Sequence, residues 1–122
     1  MARVLVVDDQ PEVRRLMLRL LERAGHTTAE ADGGAEGLRQ LAAQPADLVV
    51  TDLFMPGMDG LEFMRELSLR HPGMRVIAVS GGGFMDAASI LAVATALGAV
   101  RTLSKPFDQS EFLALVGEVL AA

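Results

Sequence analysis

Residues 47–60 read DLVVTDLFMPGMDG: a short Val-rich run that ends on Thr51 and Asp52, three more apolar residues, a Pro-Gly turn, and a second aspartate before glycine. Apolar side chains occupy both alternating positions of the run, so a strand here has no face left for water. Such a strand belongs in a parallel sheet covered by helices on both sides. Asp52 is the anomaly, because an unpaired carboxylate at the end of a buried strand is costly.

Working outward, the same kind of segment recurs. Strands are predicted at Arg3 to Val7, Thr27 to Glu30, Asp47 to Thr51, Arg75 to Val79 and Ala99 to Leu103. Between them the period changes to that of a helix. Val13, Leu16, Met17, Leu20, Leu21 and Ala24 fall on one helix face, with Pro11 suited to the first turn and Gly25 to the end. Further helices are predicted over 34–43, 59–70, 86–97 and 108–121, the last opening Asp108-Gln-Ser-Glu111 in the manner of a capping box. Strand-helix alternation of this kind implies parallel strands with right-handed crossovers. The more polar second strand, TTAE, is expected at an edge.

At 122 residues the chain has the size of one domain, and we read residues 1–122 as a single unit with no effector domain within it. No apolar run approaches a membrane span, the start MARVLVVDD lacks the pattern of a signal peptide, and cysteine is absent. A cytoplasmic setting is the default expectation. The formal net charge is −5 and no basic cluster exceeds Arg14-Arg15, which argues against nucleic acid as a partner of this domain and against a membrane surface.

In an open parallel sheet, ligands bind beyond the carboxyl ends of the strands. Asp8-Asp9 follow the first strand, Asp52 the third, Ser80 and three glycines the fourth, and Ser104-Lys105-Pro106 the fifth. Brought together, two like charges about 4 Å apart cost about 4 kcal/mol at an effective dielectric near 20. Lys105 supplies one compensating charge, and a hard divalent cation such as Mg²⁺, which binds carboxylates and bridges to phosphate, would supply the rest. The set suits phosphoryl transfer, with Asp52 as acceptor, Lys105 and the metal as charge sinks and Ser80 as hydrogen-bond donor.

VVDDQ, DLFMPGMDG, the strand-ending Ser80 and LSKPF together resemble the receiver domain of two-component response regulators, across the whole chain. The resemblance implies a flavodoxin-like α/β sandwich with strand order 2-1-3-4-5, the order of a relative, the chemotaxis regulator. It implies that Asp52 takes a phosphoryl group from a phosphohistidine on a partner kinase or phosphotransfer protein. Asp9, Asp52 and the backbone carbonyl of Phe54 would bind Mg²⁺, Asp8 would act largely through water, and Ser80 and Lys105 would grip the phosphoryl oxygens. Lys105-Pro106 resembles the family's cis peptide, and Asp59 would cap the third helix after the Pro56-Gly57 turn.

Departures from the family pattern carry expectations too. Thr102 stands where many receivers place a switching aromatic residue. Phe54, two places after Asp52, would shield an acyl phosphate from water and slow its loss. The run DAASILAVATAL, residues 86–97, carries no charge after Asp86, so its outward face would be apolar too; core burial is the favoured reading, and the alternative is a partner or self-association surface formed by the fourth helix with the fifth strand and helix. The expected product is a conformational state with no turnover of an external substrate, so the chain is read as a switch and not as an enzyme. Two rivals are a Mg²⁺-dependent phosphohydrolase with an aspartyl nucleophile and a degenerate receiver used only for docking; a flavin module is disfavoured by the lack of Trp and Tyr.

Overall fold

A computed structural model describes residues 2–53, 60–81 and 87–122. Five strands and five helices alternate: β1 (Arg3–Val7), α1 (Pro11–Arg23), β2 (Thr27–Ala31), α2 (Gly34–Ala43), β3 (Leu48–Asp52), α3 (Gly60–Arg70), β4 (Val76–Ser80), α4 (Ala87–Ala96), β5 (Arg101–Ser104) and α5 (Gln109–Ala121). The strands form one parallel sheet in the order β2-β1-β3-β4-β5. The predicted strand and helix bounds differ from these by two residues at most. The polar strand β2 lies at one edge, as expected.

The side-chain alternation of the central strands explains the three layers. Leu5 and Val7 of β1, Val49 of β3, and Val76 and Ala78 of β4 pack on one side with Leu38 and Leu41 of α2, Phe63, Met64 and Leu67 of α3, and Ala94 of α4. Val4, Val6, Leu48, Val50, Ile77 and Val79 point the other way, onto Met17, Leu20 and Leu21 of α1 and Phe112, Val116 and Val119 of α5. Period-two strands thus feed two cores at once, which is why the run LVV could spare no polar position. At about 25 cal/mol per Å² of apolar surface, this double burial is the main stabilising term of the fold.

Chain direction places the site. The path steps from β1 to β2 on one side of the sheet, then returns past β1 to β3 and continues outward. The crevice at that reversal opens between β1 and β3, beyond their carboxyl ends. Gly25, with φ +95°, and Gly98, with φ +100°, follow the last turns of α1 and α4, where left-handed backbone favours glycine. At the start of α5, Asp108 Oδ1 accepts from Ser110 N–H at 2.8 Å and from the Ser110 hydroxyl at 2.6 Å. That helix therefore has its aspartate cap, made to the second helical residue.

Candidate functional site

Register carries the chemistry to one edge. Val7 pairs with Thr51, so Asp8 follows beside Asp52; Asp52 pairs with Val79, so Ser80 comes next on the neighbouring strand. Ser80 pairs with Ser104, and the ladder runs on to Lys105, whose N–H donates to the Ser80 carbonyl at 2.7 Å. Asp52 and Ser80 are the terminal residues of their strands. The Lys105-Pro106 peptide is cis.

The side chains meet. Asp8 is fully buried, Asp52 and Ser80 are 5% exposed, and Asp9 is half-buried. One oxygen from each of Asp8, Asp9 and Asp52 lies within 4.8 Å of the others. Lys105 Nζ lies 3.0 Å from Asp52 Oδ2, a hydrogen-bonded ion pair, and 3.0 Å from Asp8 Oδ2. The second contact is a buried ion pair, and Asp8 Oδ2 has no hydrogen-bond partner besides that ammonium among the described residues.

Burial pushes the Asp8 carboxyl above the usual aspartate range; the Gln10 N–H and Lys105 pull it down, and the Asp52 charge adds to the rise. For Lys105, burial works to lower the ammonium's pKa, but hydrogen bonds and charge from Asp52 and Asp8 outweigh it together and hold it above the ordinary lysine value. Lys105 is therefore firmly cationic and shared between two acids. Two carboxylates share that one ammonium with a third close by, and the buried oxygen on Asp8 has room in its hydrogen-bonding for one more positive partner. An all-oxygen donor set with surplus negative charge fits a hard divalent cation such as Mg²⁺.

Two residues at the site have no counterpart in the sequence reading. Gln10 Oε1 accepts from Lys105 Nζ at 2.8 Å, while the Gln10 N–H donates to Asp8 Oδ1 at 2.9 Å. Gln10, not Asp8 or Asp9, is the N-cap residue of α1, and its side chain makes no capping bond. The aspartate pair thus does not cap the helix. The one legible signal was position: an aspartate two residues before Gln10 invites a local side-chain-to-backbone turn. Gly60 is the other. A Cβ there would collide with the Asp52 carbonyl and the Leu53 backbone, so the start of α3 lies flush against the end of β3.

Thr102 is half-buried on β5, opposite Ala78. His26 is half-buried and accepts from the Ala2 N–H through Nδ1 at 3.3 Å, because the start of β1 runs beside it. Phe54, the Pro56-Gly57 turn, Asp59 and the glycines at 82 and 83 lie outside the described residues. No helix among the described residues is long and apolar enough to cross a membrane.

Comparison with known proteins gives one consistent match. The sequence pattern of the response regulator receiver domain fits residues 4–117. The chain is 39% identical over 118 residues to the DNA-binding transcriptional regulator NtrC of Escherichia coli K12, covering 97% of this chain and 24% of that one. It therefore spans about a quarter of the length of that relative. It is 30% identical over 122 residues to the response regulator receiver protein CpdR of Brucella abortus, covering 100% of this chain and 99% of the other. The crystal structure of the receiver domain of NtrX from Brucella abortus superimposes with a TM-score of 0.90 at 28% identity, over 98% of each chain.

Proposed function

This chain belongs to the response regulator receiver domain family of two-component signalling switches, and from that premise we propose that Asp52 is its phosphoacceptor. The donor is a phosphohistidine on a partner histidine kinase or phosphotransfer protein. The observation that carries this reading is the convergence of Asp8, Asp9 and Asp52 at the sheet's carboxyl edge, where Asp8 and Asp52 share one ammonium.

An Asp52 carboxylate oxygen attacks phosphorus in line with the P–N bond to imidazole. As the O–P bond forms, the P–N bond breaks, and its electron pair returns to the imidazole nitrogen of the partner. Lys105, already 3.0 Å from Asp52 Oδ2, stays with the developing charge and meets a phosphoryl oxygen. Ser80, one strand over, donates its hydroxyl to another. Asp8, Asp9, Asp52 and the Phe54 carbonyl are the groups that would hold Mg²⁺, with Asp8 acting largely through water. Bound there, Mg²⁺ would neutralise the incoming phosphoryl oxygens and offset the acid cluster.

The chain catalyses its own phosphorylation and dephosphorylation and turns over no external substrate. Its output is a change in partner binding, made without an aromatic switch at Thr102. The α4-β5-α5 face is the surface for a downstream protein or a second copy, and this domain itself engages neither nucleic acid nor membrane. Its setting is the cytoplasm, where such kinases present their phosphohistidine.

Incubation with a small acyl-phosphate donor and Mg²⁺, read by intact-protein mass, tests the reading. We expect a gain of one phosphoryl group that needs Mg²⁺ and is lost in Asp52→Asn. Labelling that survives Asp52→Asn would move the acceptor elsewhere. Asp52-dependent hydrolysis of a generic phosphate ester would favour the phosphohydrolase instead.

A further inference from the structure

Asp8 has four groups that can hydrogen-bond, and the chain commits three of them to its own frame. Its N–H donates to the Ala31 carbonyl on β2 at 3.1 Å, its Oδ1 accepts from Gln10 N–H at 2.9 Å, and its carbonyl accepts from Arg14 Nη1 at 2.8 Å. Only Oδ2 is left to face Lys105 and the acid cluster.

The bond from Arg14 differs in kind from the other two. The Asp8 carbonyl belongs to the peptide that joins Asp8 to Asp9, and that peptide is planar. A donor fixed on this oxygen therefore fixes the plane from which both carboxylates project. Arg14 is itself held: its side chain is 14% exposed, and its Nε donates to Glu30 Oε1 at 2.8 Å on the edge strand. A guanidinium is a rigid planar fork, so anchoring Nε on Glu30 aims Nη1.

We propose that Arg14 is a positioning residue that sets the orientation of the Asp8-Asp9 pair and through it the affinity of the acid cluster for Mg²⁺, with Glu30 orienting Arg14. This rests on the reading that the cluster binds Mg²⁺. Arg14 touches none of the reacting atoms. It acts by geometry, and so replacing it by lysine keeps the charge but loses the fork.

Calorimetric titration of Mg²⁺ into the whole chain is the test, since the absence of Trp and Tyr leaves little intrinsic fluorescence to follow. Wild type is expected to bind. Arg14→Ala is expected to bind about tenfold more weakly, the scale seen when a group orienting a metal ligand is removed. Arg14→Lys should fall between them, and Glu30→Ala should weaken binding less than Arg14→Ala. Melting temperatures in metal-free buffer are measured in parallel, because a merely structural role would lower these and leave Mg²⁺ affinity intact.

Wild-type-like affinity in Arg14→Ala, whatever its melting temperature, overturns the inference while leaving the functional reading standing. If Arg14→Ala does not fold, wild-type-like affinity in both Arg14→Lys and Glu30→Ala overturns it. Full recovery in Arg14→Lys alone would make charge the agent and also overturn it. A wild type that binds no Mg²⁺ takes down the functional reading and this inference with it.

Discussion

At the amino end of the sheet, Asp47 Oδ2 accepts from the Arg3 N–H at 2.9 Å while its own N–H donates to the Arg3 carbonyl at 2.8 Å. Nearby, Arg75 Nη1 donates to the Val119 and Leu120 carbonyls at 3.1 and 3.0 Å, tying β4 to the last turn of α5. At the carboxyl end, Asp8 and Asp52 share the ammonium of Lys105 with Asp9 close by, and Asp8 Oδ2 is buried with no hydrogen-bond partner besides that ammonium among the described residues. The residue types are alike, but the accounting is opposite. The Asp47 and Arg75 charges at the amino end are matched to backbone groups and join elements together, although Arg3 Nε there is buried with no hydrogen-bond partner among the described residues. Those at the carboxyl end are buried in surplus, a condition that costs stability and is kept for what it can bind.

The contrast can be broken most forcefully at Gly60. Valine there must push against the Asp52 carbonyl and the Leu53 backbone, so Gly60→Val is expected to cost about 3 kcal/mol, read from urea unfolding. An unchanged midpoint would mean that α3 shifts freely and does not hold the end of β3. At the opposite end, Arg75→Met removes both bonds to the α5 carbonyls and should cost about 1.5 kcal/mol. Phosphoryl uptake from an acyl-phosphate donor should survive it; a loss of uptake would show that the two ends are coupled.

The smallest effect has the opposite sign. Asp8→Asn relieves an incompletely compensated buried charge and is expected to stabilise the metal-free protein by about 1 kcal/mol. Asp47→Asn, at an exposed acid already matched, should give no such gain. The pH dependence follows from Asp8's raised pKa: the folded chain holds this proton more tightly than the unfolded chain. Stability from this group is therefore present below the ordinary aspartate range and is lost as pH rises through Asp8's elevated value. Denaturation across that range should show a slope in wild type that Asp8→Asn lacks. Equal slopes would place the destabilising charge elsewhere.

The central strands were legible because burial on both faces leaves a compositional mark: RVLVV, LVVTD and VIAVS carry aliphatic side chains at both parities. The acids and Lys105 were legible because they interrupt or end such runs, where only a ligand or a counter-charge makes them tolerable. Gln10 and Arg14 were not. Gln10 meets Lys105 across 95 positions of sequence, and Arg14 acts on a backbone carbonyl, a group every residue has and no sequence pattern marks. Gly60 reads as an ordinary helix-start glycine until the Asp52 carbonyl is found against it.

By itself the sequence determined the alternation of strand and helix, the double burial of β1, β3 and β4, and the short set of acids and one lysine that meet at the sheet's carboxyl edge, because local period and the cost of a buried charge are written in residue types. Only the tertiary structure decided which acids share the ammonium, which Asp8 oxygen stays open and which side chains hold the Asp8-Asp9 peptide in place. Those outcomes depend on register and backbone direction across the sheet, which no single stretch of chain encodes.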